Sequence, residues 1–268
     1  MLLKNQLSIK HIIKKTVYEN EKTLFLMIHG YGSNEKDLFS FLQKDLPENF
    51  FIISIQGFYL IGKNKYSWYD IDFDNRNKFI NIIQAKTTIE KISFFIHEAI
   101  EKYKLKKNPV WICGFSQGAI LSYAIALKNY DKIKKVIALS GYLEYRIFPK
   151  EINYNYDLEF FISHGKYDSI IPVNWSKKGL KFLKEKKILF FYKEYESGHT
   201  LNQLNYQDLI NWIKENNKIN QNMNYEKIFK NSIVSICFFR IYFFIFSKKL
   251  FIWMYSTFIK YNSCFPYF

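Results

Sequence analysis

Short apolar runs alternate with longer amphipathic stretches along most of this chain, and that alternation limits the folds open to it. Leu24–Ile28, Phe50–Ile55, Val110–Cys113, Lys135–Leu139, Glu159–Ser163 and Ile188–Tyr192 each read as a buried strand. Between them, Thr88–Lys102 carries Ile89, Ile92, Phe95, Ile96 and Ile100 at helical spacing, and Gln117–Asn129, Asn174–Glu185 and Leu204–Glu215 follow the same period. Strands that are apolar on both faces, separated by helices, predict an α/β fold with a mostly parallel central sheet flanked by helices. Ligands of such folds gather at the carboxyl ends of the strands. A chain of 268 residues that is 49% hydrophobic can build one sizeable core.

Met1–Ile219 reads as the folded unit and residues 220–268 as an extension. The formal charge of +15 comes from scattered lysines and no basic motif, so no nucleic-acid partner is expected. Heavy use of Lys, Asn, Ile, Phe and Tyr points to AT-rich codons as the simpler source of the charge. Three dispersed cysteines give no disulfide framework and fit a reducing compartment. The amino terminus lacks the apolar core of a secretory signal. The expected location is cytoplasmic.

Gly114-Phe115-Ser116-Gln117-Gly118 lies where a strand passes into a helix. A G-x-S-x-G pentapeptide there makes a turn so tight that glycines must flank it, and the serine Oγ stands exposed at the sheet edge. The competing reading of Ser116 is an ordinary helix N-cap. A serine nucleophile needs a base and an acid that orients it, in the chain order Ser, Asp or Glu, His. Only His164 and His199 follow Ser116. His164 reads as a packing or turn-bonding residue at the end of a strand, whereas His199 sits in a loop after a strand. Among the acids between them, Asp131 and Asp157 precede helical or strand segments, and Glu194 and Glu196 lie too near His199. Asp168, just past the strand EFFIS, is the acid of choice, against the alternative of a turn-forming Asp. The Gln117 N–H and the Tyr31 N–H, in the loop His29-Gly30-Tyr31-Gly32, are the expected oxyanion donors.

IHGYGSNEKDL, SWYD at Ser67–Asp70, GFSQGA, ALSGYL, HGKYDSIIP and SGHT through Trp212 occur in this order. Together, over Thr23 to Ile213, they resemble the phospholipase/carboxylesterase family of α/β-hydrolases, which includes bacterial carboxylesterases and acyl-protein thioesterases. The resemblance implies an α/β-hydrolase fold with no separate lid domain. It implies Ser116 as nucleophile, Asp168 as acid, His199 as base, and Tyr31 and Gln117 as oxyanion donors. It also implies a substrate cleft lined near Trp68, a residue that reads equally well as core. The substrate class implied is a small-molecule ester, acyl thioester or lysophospholipid, with no metal or other cofactor. Ile55–Asn64 lacks the prolines common in that family, and Ala119 stands where another glycine is frequent. The alternative function is a catalytically inactive binding or scaffold protein of the same fold.

Ile233–Ser247 is apolar but contains Arg240. As a helix it would reach only about 22 Å against a hydrocarbon core of about 30 Å. Lys218–Phe268 carries seven Lys and Arg against one acid. Basic and aromatic residues together suit peripheral membrane contact through residues 225–268. Against this stands an extension with no selected role.

Overall fold

The computed structural model describes residues 7–18, 22–74, 80–105, 109–148 and 157–217. The strands are β1 (His11–Lys14), β2 (Thr23–Ile28), β3 (Phe50–Ile55), β4 (Tyr59–Gly62), β5 (Lys65–Ser67), β6 (Val110–Phe115), β7 (Ile133–Leu139), β8 (Glu159–Gly165) and β9 (Leu189–Tyr195). The helices are α1 (Asp37–Leu42), α2 (Ile82–Lys102), α3 (Gln117–Lys128) and α4 (Val173–Glu185), followed by α5 over residues 203–217. Seven strands form the main sheet in the order β1-β3-β2-β6-β7-β8-β9. β1 runs antiparallel on the edge, and every other pairing in that sheet is parallel. This is the α/β-hydrolase architecture the sequence predicts.

Strand period sorts the apolar residues into two cores. Leu24, Leu26, Ile28, Ile112, Ala138 and Ile162 face one side, where Ile92, Phe95 and Ile96 of α2 and Ile120 and Ala124 of α3 cover them. Phe25, Met27, Trp111, Cys113, Ile137 and Phe161 face the other, under Leu38 and Leu42 of α1 and Leu209 and Ile213 of α5. Burying one such side chain stabilises the fold by about 2 kcal/mol. That is why the central strands carry no polar alternation.

Every strand and helix expected from the sequence is present, Phe50–Ile55 at the expected bounds and the others with one or both ends shifted. α2 starts at Ile82, six residues earlier than its apolar stripe, because the Asn81 side chain accepts from the Gln84 N–H at 3.1 Å and caps it. The Ile55–Asn64 region, which gave no element from sequence, contributes β4. It pairs antiparallel with β5 across a turn in which Asn64 has φ +57°. The chain divides into Met1–Glu215 and Asn216–Phe268. The expected boundary at 219/220 and the peripheral membrane segment at 225–268 lie outside the described residues. No helix among the described residues is long and apolar enough to cross a membrane.

Candidate active site

The turn from β6 to α3 shows why this pentapeptide needs its glycines. A Cβ on Gly114 would lie 2.3 Å from the Gly118 carbonyl oxygen, and one on Gly118 would lie 2.1 Å from the Ile28 carbonyl oxygen at the end of β2. Helix α3 can therefore begin against β2 only without side chains at both positions. Ser116 between them takes φ +53° and ψ −116°, a left-handed conformation that costs a non-glycine residue about 1–3 kcal/mol. Its side chain makes no capping bond to the helix. The N-cap reading of Ser116 therefore gives way.

Instead, Ser116 Oγ lies 2.8 Å from His199 Nε2, and His199 Nδ1 lies 2.7 Å from Asp168 Oδ2. Ser116 is 83 residues from His199 in sequence, and Asp168 is 31. The sheet brings them together from the ends of β6 and β8 and the loop after β9. Asp168 Oδ1 accepts from the Ile170 and Ile171 N–H groups at 2.9 and 2.8 Å. Burial alone would raise the Asp168 carboxyl. The neighbouring His164, His199 and the Ile171 N–H outweigh burial and hold it well below the usual carboxylate range. An ionised Asp168 only accepts, so His199 Nδ1–H donates to it, and Nε2 is left to accept from the Ser116 hydroxyl.

The loop His29-Gly30-Tyr31-Gly32 is held by polar bonds from several sides. His29 is buried, and burial lowers its proton affinity despite the Gly30 carbonyl and the Asp37 and Glu35 carboxylates. Its Nδ1–H donates to the Gly30 carbonyl at 2.7 Å, and its Nε2 accepts from the Gly57 N–H at 2.9 Å. Gly32, at φ +76°, donates to the Tyr66 carbonyl on β5 at 2.9 Å, and Tyr66 donates back to Ser33 at 2.8 Å. The Tyr31 and Gln117 N–H groups have no acceptor among the described residues. Both residues, with Ser116 and His199, line a cleft of about 220 Å3 walled by Ile71, Phe73, Ile120, Ile170 and Ile171. A second cleft, of about 310 Å3, leaves Ser116 past Gly30, Asp37, Phe41 and Leu201.

Of the two readings of Trp68, the cleft wall and the core, its burial fits the core. It is fully buried and lines neither cleft. Its indole packs on His29 with ring centres 4.9 Å apart, and its Nε1–H donates to the His29 carbonyl at 2.8 Å. An indole whose N–H finds a buried carbonyl belongs to the core, so Trp68 backs the loop that carries Gly30 and Tyr31. The Gln117 side chain completes this arrangement. It accepts from the Trp68 N–H at 2.8 Å and donates to the Tyr69 carbonyl at 2.7 Å. Sequence reasoning missed this side chain because its partners lie some fifty positions upstream. Among the described residues no group of three or more His, Cys, Asp or Glu is placed to hold a metal ion.

The fold has known counterparts. Esterase PE8, whose crystal structure is solved, superposes with a TM-score of 0.68 at 23% identity, covering 77% of this chain and 98% of that one. The Bacillus cereus carboxylesterase gives 0.66 at 18% identity, covering 78% and 94%. In sequence, acyl-protein thioesterase 1 of Kluyveromyces lactis is 28% identical over 163 residues, which is 58% of this chain and 70% of that protein. Carboxylesterase SOBER1 of Arabidopsis thaliana is 25% identical over 210 residues, 72% of this chain and 90% of that one. The pattern of the family described as Phospholipase/Carboxylesterase matches residues 8–217. The chain belongs to the phospholipase/carboxylesterase family, and is a carboxylic ester hydrolase on the α/β-hydrolase fold.

Proposed function

We propose that this chain cleaves carboxylic esters or acyl thioesters with Ser116 as nucleophile, His199 as general base and acid, and Asp168 as the acid that orients His199. The observation that carries this is the single imidazole bridging Ser116 Oγ at 2.8 Å and Asp168 Oδ2 at 2.7 Å. His199 Nε2 takes the hydroxyl proton as Ser116 Oγ attacks the carbonyl carbon. Charge develops on the carbonyl oxygen, where the Tyr31 and Gln117 N–H groups are free to donate. Each donor of this kind contributes about 3 kcal/mol. The alcohol or thiol leaves with the proton held by His199. Water then repeats the cycle on the acyl-enzyme, releasing the carboxylic acid and restoring Ser116. Asp168 stays ionised throughout and stabilises the imidazolium.

The substrate is a small-molecule ester or acyl thioester. The apolar wall of Ile71, Phe73, Ile120, Ile170 and Ile171 supports an acyl chain in the smaller cleft. The thioester alternative draws on the acyl-protein thioesterases among the relatives. A cytoplasmic location fits Cys113, which is buried and unpaired. The test is fluorophosphonate labelling of the full chain together with turnover of a short p-nitrophenyl ester. Wild type should label and turn over, and Ser116→Ala should do neither. A folded Ser116→Ala variant that still hydrolyses the ester would refute the assignment.

A further inference from the structure

Asp168 is flanked by a second histidine. His164, at the end of β8, is wholly buried, and its Nε2–H donates to the Ile171 carbonyl at 2.8 Å. The same nitrogen lies 3.3 Å from Asp168 Oδ2, the oxygen that His199 uses. Its Nδ1 has no partner among the described residues. A carbonyl only accepts, so the Nε2 that faces Ile171 carries a proton.

These contacts close a ring. His164 grips the Ile171 carbonyl, while the Ile171 N–H grips Asp168 Oδ1. The imidazole thus braces the turn from Gly165 to Ile171 across its mouth and sets its dipole beside Oδ2. Neither fold nor burial demands this pairing. An apolar side chain would fill the same space without leaving Nδ1 orphaned, and an orphaned buried polar atom is destabilising. We propose that His164 is a positioning residue that fixes the Asp168 carboxylate so that Oδ2, and no other rotamer, meets His199 Nδ1–H. His164 acts through Asp168 and does not touch substrate. This inference rests on the triad reading above.

The test compares His164→Leu with His164→Gln in the full chain, with Ser116→Ala alongside. Glutamine can place an amide N–H where Nε2–H stood, and leucine cannot. His164→Leu should lower kcat on a p-nitrophenyl ester at least 30-fold with KM changed less than threefold, and should shift or erase the downfield proton resonance of His199 Nδ1–H. His164→Gln should recover kcat to within about fivefold of wild type. In the wild type, nitrogen-15 spectra at pH 8 should show His164 protonated on Nε2 only. A folded His164→Leu with wild-type kcat and an unmoved resonance overturns the proposal while leaving an inactive Ser116→Ala, and so the triad, intact. An active Ser116→Ala overturns both. Should His164→Leu fail to fold, a His164→Gln variant with kcat down 30-fold, or an Nδ1–H tautomer in the wild type, overturns it. A near-wild-type glutamine variant with the Nε2–H tautomer supports it.

Discussion

Replacing Ser116 by glycine should leave the protein more stable than replacing it by alanine. Either change removes the hydroxyl and its 2.8 Å bond to His199, so that loss cancels in the comparison. What differs is the Cβ. At φ +53° and ψ −116° a Cβ is disfavoured by about 1–3 kcal/mol, and alanine keeps it. Glycine gains that back but gives the unfolded chain more freedom, worth about 0.4–1 kcal/mol against it. The difference is about 1 kcal/mol in favour of glycine. For a folded unit of this size that is about 2–4 °C in Tm. Urea unfolding of the full-length variants, with equal slopes, measures it directly. An alanine variant equal to or more stable than the glycine variant would mean that the turn stores no strain at position 116, and the account of the glycine-flanked serine would fail.

Two further variants probe the neighbouring contacts. Asp168→Asn should cut kcat/KM by about 10⁴, since an amide cannot hold the required His199 tautomer. The Asp168 carboxyl is held below its ordinary value, so its ionised form stabilises the fold above the unfolded value of about 4 and that contribution is lost as pH falls. The stability gap between wild type and Asp168→Asn should therefore be flat from pH 6 to 8 and narrow below pH 4 in urea titrations; a gap that widens in acid would contradict the assignment. Gln117→Leu should cost about 2–3 kcal/mol, because it strands the buried Trp68 N–H and Tyr69 carbonyl. It should also lower kcat about tenfold with KM little changed, and full activity would separate the oxyanion donor from its side chain.

The central strands were legible because both their faces are covered, which forces continuous apolar runs such as LFLMI and VWIC. The meeting of Ser116, Asp168 and His199 was legible because a sheet of this kind brings the loops at its carboxyl edge together. β1 was not, since HIIK is four residues long, half exposed and on the edge. The β4–β5 hairpin turns through Lys63-Asn64, with neither the Asn-Gly nor the Asp-Gly signal, and its strands are too exposed to need apolar alternation. Trp68 could not be assigned a side from sequence, because an indole suits either a cleft wall or a core. Its partners, the His29 carbonyl and Gln117, lie 39 and 49 residues away. Such bonds leave no local pattern.

The clasp among His29, Trp68 and Gln117 bears on how such a site can be inherited or transplanted. Each side chain satisfies a polar group on another segment of the chain, so a lone change at any of the three orphans a buried partner that the other two cannot reach. Changing the other two side chains does not restore the lost bond, so each of the three positions is constrained on its own account. A graft that carries only GFSQGA into a foreign scaffold would bring Ser116 without the braces that hold the His29–Gly32 loop beside it.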